Sequence, residues 1–144
     1  MKQKTIHIEN LSIGYLGKTD VKVVADRINA GINCGELTCL LGANGVGKST
    51  LLRTLSAFQP KLGGKIEIVG KEIDAYTDKE LSTVISVVLT EKCDIRSMTV
   101  HELVGLGRSP YTGFWGTLRG EDKEVVERSI ALVKIQNQAH RMVH

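Results

Sequence analysis

Aromatic residues are scarce. Phe, Trp and Tyr together make up 4% of the 144 residues, too few for a stacking platform along single-stranded nucleic acid. Cysteine is scarce as well: Cys34, Cys39 and Cys93 are three in number and none falls in a C-x-x-C spacing. That count argues against a disulfide framework and against a zinc site, and for a reducing compartment. Cys39 lies in an apolar run and is expected to be buried as a small hydrophobe. No excess of one charge dominates. The net charge is +3, from 19 Lys/Arg against 16 Asp/Glu, and no basic run marks a nucleic-acid or lipid patch. His7, His101, His140 and His144 lack metal-ligand spacing, and His101 is expected at the surface of a helix's first turn. No apolar run approaches the roughly 20 residues that span a bilayer. The start Met1-Lys2-Gln3-Lys4-Thr5-Ile6-His7 lacks the apolar core of a signal peptide. Any service to a membrane is therefore expected through a peripheral partner.

What is present suits a soluble globular domain with a real core: 42% hydrophobic and 24% charged residues. Ile6, Ile8 and Leu11 lie on a strand-like stretch, residues 21–25 are largely β-branched, and Ile28, Ala30 and Ile32 alternate with Asn29, Gly31 and Asn33. A turn is expected at residues 33–35, followed by a short buried strand over residues 37–41. A helix is expected from Lys48 to about Phe58, with Leu51, Leu52, Leu55 and Phe58 on its apolar face. Ile66, Ile68 and Ile73 read as a hairpin turning at Gly70-Lys71. Thr77 with Glu80, and Thr99 with Glu102, form capping boxes that open two short helices. A second buried strand is expected over residues 84–89, a long loop over 108–120, and a helix over 121–135 with Val126, Ile130 and Val133 on one face.

The chemistry is carried by Gly42-Ala43-Asn44-Gly45-Val46-Gly47-Lys48-Ser49. It fits G-x-x-x-x-G-K-[ST] without a mismatch, with an apolar run before it and an amphipathic helix after it. Glycines permit positive φ and close backbone approach. Successive N–H groups then make an anion nest at a positive helix N-terminus. Lys48 supplies a point charge toward β- and γ-phosphates, the Ser49 hydroxyl suits Mg²⁺ as an oxygen donor, and Thr50 adds a phosphate hydrogen bond. The expected ligand is ATP with Mg²⁺. By itself the motif leaves kinases, GTPases and transport ATPases open.

Gly35-Glu36-Leu37, followed by the loop and Thr50-Leu51-Leu52, resembles the nucleotide-binding subunit of ABC transporters. Met98-Thr99-Val100-His101-Glu102-Leu103-Val104 and Gly107-Arg108-Ser109-Pro110-Tyr111 are similar to the ATPase subunits of importers for ferric siderophores, haem and vitamin B12. The resemblance implies an α/β P-loop NTPase fold of the ABC ATPase type, incomplete, with an N-terminal antiparallel β portion and part of a helical subdomain. Residues 1–144 would be the N-terminal portion of that domain: about 1–90 the β portion plus P-loop core, about 91–144 the glutamine-loop region and the start of the helical subdomain. Tyr15 stands where the family places an aromatic that stacks on adenine. Met98, Tyr111, Phe114 and Trp115 would supply an apolar docking surface for a membrane permease. The implied partners are that permease and a second copy of the subunit, with no nucleic acid, and the implied place is the cytoplasmic face of the plasma membrane.

Two departures qualify the resemblance. Thr90, followed by Glu91, occupies the position of a glutamine that reaches Mg²⁺ and the attacking water; its hydroxyl could touch the metal through a water. The signature loop, the second carboxylate-bearing strand and the switch histidine are expected after the 121–135 helix. On that expectation these residues bind nucleotide without hydrolysing it, because in-line phosphoryl transfer needs an oriented water and opposing positive charge. Two other readings stand beside a transport ATPase. One is a soluble P-loop kinase or GTPase, although no Asn-Lys-x-Asp guanine motif occurs. The other is a nucleotide sensor without hydrolysis, prompted by Thr90.

Overall fold

The computed structural model describes residues 4–89, 95, 97–113 and 116–143. The chain divides into two compact units, Met1–Val87 and Val88–His144.

The first unit is built on an antiparallel sheet. A 13-residue strand, β1 (Lys4–Leu16), pairs with an equally long β2 (Val21–Asn33) and, on its other side, with β3 (Gly63–Ile68), which turns into the short β4 (Lys71–Glu72). The order is β2-β1-β3-β4. Ile8, Leu11, Ile13, Ile66, Ile68 and Ile73 are buried together. Residues 8, 11 and 13 do not share one parity, so an ideal strand would turn Ile8 to the opposite face. A bulge resolves this. Against both neighbours the pairing slips on β1 between residues 8 and 12, and Asn10 lies inside the slip at φ 47°. One extra residue resets the alternation, so Leu11 and Ile13 stay on the core face.

Helix α1 (Lys48–Leu55) follows the glycine loop. Leu51 and Leu55 pack against the isoleucine core, while Thr50 and Thr54 are buried beside them. The expected continuation to Phe58 is cut short. Ala57 takes φ 57°, Ala57 N–H donates to Thr54 O and Phe58 N–H donates to Arg53 O at 2.9 Å, a left-handed cap that satisfies the last carbonyls. Phe58 is consequently exposed, Leu52 within the helix turns outward, and neither belongs to the apolar face. Helix α2 (Asp78–Val84) begins with the expected capping box, both hydrogen bonds being present.

Two expected strands are absent. Residues 37–41 and 85–89 are neither helix nor strand, and Leu37, Leu41 and Val88 are 94%, 87% and 98% exposed. Among the described residues no strand pairs with either run. An apolar sequence acquires strand structure only when a neighbour takes its backbone hydrogen bonds. Cys39 rides on the first of these runs and is exposed rather than buried.

The second unit contains α3 (Val100–Leu106), again with a complete capping box from Thr99 and Glu102, and α4 (Gly120–Leu132). Val126, Ile130 and Ala139 are its buried centre, with Val104, Leu118 and Ile135 packed around them. Lys134 at φ 60° ends α4 and folds Ile135 back onto Ile130 O. Val133 is left exposed, off the face that Val126 and Ile130 share. The segment after α4 straps across the start of α3: Val100 N–H donates to Arg141 O, His101 N–H to Ala139 O, and Val143 N–H to Met98 O. His101 is half-buried rather than free at the surface, its ring 3.1 Å from Glu127 and stacked on His140.

The Glu80 carboxylate accepts from the Thr77 backbone N–H and also from Lys71 and the Thr77 hydroxyl, and its pKa is lowered from 4.5 to about 2. A depressed carboxylate pKa adds stability above the unfolded value and loses it as pH falls through the folded one. Unfolding measured from pH 6 downward should therefore show stability lost between pH 4.5 and about 2, and Glu80→Gln should flatten that loss.

Candidate functional site

The loop and the end of β1 meet at one cleft in the first unit. Its volume is about 550 Å³, and Tyr15, Lys22, Val23, Val24, Asn44, Gly45, Gly47, Lys48, Ser49 and Thr50 line it. Among the described residues the lining holds two lysines and no carboxylate, a charge balance suited to a polyanion.

Gly47 is the N-cap of α1 and sits in the left-handed region at φ 105°, with no side-chain cap on the helix start. A Cβ there would come within 2.7 Å of Val24 Cγ1 on β2. Glycine is thus required twice over, by conformation and by space. The first-turn N–H groups of α1 have no capping side chain in front of them, so the positive end of the helix is presented to the cleft. Leu51 N–H makes the first helical bond, to Gly47 O at 2.8 Å.

Lys48 turns back over the loop. Its ammonium donates to Gly42 O and to Ala43 O, each at 2.7 Å. An ammonium has three donors, so two bonds hold the charge in place and a third remains for a ligand. Ser49 is exposed beside it. Val46 turns outward and is exposed; in the loop it contributes backbone.

Tyr15 lines the same cleft. Its ring is half exposed, and its hydroxyl shares a 2.9 Å hydrogen bond with Thr50 Oγ1. Across the β1–β2 pair Tyr15 faces Lys22 and Gly14 faces Val23. At Gly14 the strands pack closely: a Cβ would stand 2.0 Å from Lys22 O.

The structure thus brings Tyr15 together with Asn44, Gly45, Gly47, Lys48, Ser49 and Thr50 in one cleft, while Gly42 and Ala43 hold Lys48 and Val46 does not line it. Met98 and Tyr111 belong to the second unit. Tyr111 is exposed, with the Arg108 guanidinium over its ring at 4.0 Å. Arg108 Nε donates to Asp122 at 2.9 Å; the Arg119 backbone N–H and then Arg108 hold the Asp122 carboxyl below its usual range. Thr90, Glu91, Phe114 and Trp115 lie outside the described residues. Sequence reasoning missed Lys22, Val23 and Val24. The signal was available, since a hairpin turning at Gly17-Lys18-Thr19-Asp20 pairs Tyr15 with Lys22. It also missed Thr54 and Gln59, which contact the site's elements and carry no motif.

Among known proteins, a family model described as "ABC transporter" matches residues 25–144. An uncharacterized ABC transporter ATP-binding protein of Methanocaldococcus jannaschii is 39% identical over 128 residues, covering 89% of this chain and 43% of that protein. A probable siderophore transport system ATP-binding protein of Bacillus subtilis is 35% identical over 143 residues, 99% of this chain and 50% of that protein. The chain spans about half the length of these curated relatives. A solved ATP-binding cassette, a dimer described as a post-hydrolysis state bound to ADP and Pi, superposes with TM-score 0.76 at 21% identity, over 95% of this chain and 61% of that one. The fold is an incomplete P-loop ATPase fold of the ATP-binding-cassette type, as the resemblance implied.

Gly14→Ala should destabilise the protein by about 1–3 kcal/mol, since the new methyl meets the Lys22 carbonyl, which cannot yield, as well as the Leu62 side chain, and a lowered denaturant midpoint at unchanged slope would register it.

Proposed function

The chain belongs to the ABC transporter family, and we propose that it is the nucleotide-binding portion of an importer ATPase that spends ATP on the uptake of an iron chelate or a cobalamin-like compound. The observation that carries the nucleotide reading is one cleft lined by both an aromatic ring and a tethered ammonium at a helix N-terminus. That pairing of chemistries suits a base at Tyr15 and phosphates at the loop. Lys48 neutralises the phosphates without a search for position, because Gly42 and Ala43 already hold it.

Ser49 is the residue that would hold Mg²⁺ in this cleft. Its exposed hydroxyl is an oxygen donor beside Lys48, of the kind Mg²⁺ prefers. The ion's contribution, when bound, is to neutralise charge that develops on the phosphates. Thr90 would add a contact through water.

The substrate class rests on the likeness of residues 98–104 and 107–111 to siderophore, haem and cobalamin importer subunits, and on the relative described as a siderophore transport protein. Met98, Tyr111, Phe114 and Trp115 are assigned to the permease contact, and a second copy of the subunit completes the site. The place of work is the cytoplasmic face of the membrane; among the described residues no helix is long and apolar enough to cross it.

Residues 1–144 alone should bind ATP weakly and show no turnover. In a binding titration Lys48→Ala should cost about 10- to 100-fold in affinity, the worth of one charge-assisted hydrogen bond. Turnover by residues 1–144 that disappears in Lys48→Ala would contradict the assignment of the hydrolytic groups to other residues.

A further inference from the structure

Gln59 stands nine residues beyond Thr50 and belongs to no nucleotide-binding motif, yet it closes a ring of hydrogen bonds around the base of Tyr15. Its side-chain nitrogen donates to Gly14 O at 3.0 Å and to Thr54 Oγ1 at 3.3 Å. Both amide hydrogens are thereby used, and only the nitrogen end of the amide can serve a carbonyl. Thr54 Oγ1 in turn donates to Thr50 O at 2.8 Å. Thr50 Oγ1 meets the Tyr15 hydroxyl at 2.9 Å, which returns the circuit to the residue after Gly14. Thr50 and Thr54 are 4% and 2% exposed, so the middle of this ring is dry and its bonds are not traded freely for water.

The ring does two things to Tyr15. Gln59 fixes its backbone from the Gly14 side, and Thr50 fixes its hydroxyl. A half-exposed tyrosine near the tip of a long hairpin would otherwise sample several rotamers and pay for their loss on binding a ligand. Here the ring is anchored to α1, the same helix whose first turn faces the phosphates. We infer that Gln59, acting through Thr54, Thr50 and Gly14, is a positioning residue that sets the Tyr15 ring relative to the phosphate loop and so governs affinity for the base of the nucleotide. This rests on the reading of Tyr15 as the base platform.

The test separates base from phosphate. The intact protein is titrated with ATP and, in parallel, with inorganic tripolyphosphate, which lacks a base, both with Mg²⁺. Gln59→Leu removes the amide, and Gln59→Glu keeps its shape while losing both donors. Each should weaken ATP about five-fold, the worth of one hydrogen bond, while tripolyphosphate stays within about two-fold. Tyr15→Phe keeps the ring and loses the hydroxyl. It should weaken ATP similarly, and combined with Gln59→Leu the two losses should not add. An equal loss for both ligands would mean that Gln59 only supports the fold, and unchanged ATP affinity would overturn the proposal directly. Tyr15→Ala distinguishes the two readings. If it leaves ATP affinity unchanged, the base platform fails and the relay with it. If it weakens ATP while the Gln59 variants do not, the platform stands and the relay alone is wrong.

Discussion

The site depends on how α1 is seated against β1. A phosphate-binding loop works only if the helix behind it points its N-terminus at the ligand, and a two-turn helix has little stability of its own. Here α1 is held by Leu51 and Leu55 on the isoleucine core and by Thr50 and Thr54 in buried hydrogen bonds. The bulge at Asn10 matters for the same seating. By resetting the alternation it puts Leu11 and Ile13 toward the core, and Tyr15, two residues further, reaches Thr50 on α1. On an unbulged strand aligned by Ile8, Tyr15 would point away from α1.

The electrostatics follow from that arrangement. Lys48 is tethered by loop carbonyls, Lys22 joins it from β2, and among the described residues no acidic side chain lines the cleft. The second unit uses charge differently. Arg108 lies between Asp122 and the face of Tyr111, so an exposed aromatic there is held by an ion pair beside it. The strap over the start of α3 gives two of that helix's first-turn donors carbonyl partners from residues 139 and 141, which leaves this helix start occupied where that of α1 is open.

Legibility in the sequence followed the range of the interaction. The loop motif, the two capping boxes and the Gly70 turn are local, each decided by residues within a few positions, and the structure has them where the residues implied. The helix ends were harder, because Ala57 and Lys134 adopt positive φ without being glycine. Residues 37–41 and 84–89 read as buried strands because their composition is right. A strand also needs a partner, and composition is silent about partners. Gln59 was invisible for the same reason: its two bonds reach back 45 residues to Gly14 and 5 to Thr54, and no spacing rule connects them.

Those two unpaired runs have a consequence for the chain's behaviour outside its normal setting. Leu37, Leu40 and Leu41, and Val87, Val88 and Leu89, present apolar side chains on backbone whose hydrogen-bonding groups are not engaged in any sheet. Such segments are templates for strand pairing between molecules. Apolar exposure of this kind favours association as concentration rises. The residues best suited to the interior of a sheet are thus also the ones that set how long this polypeptide stays dispersed.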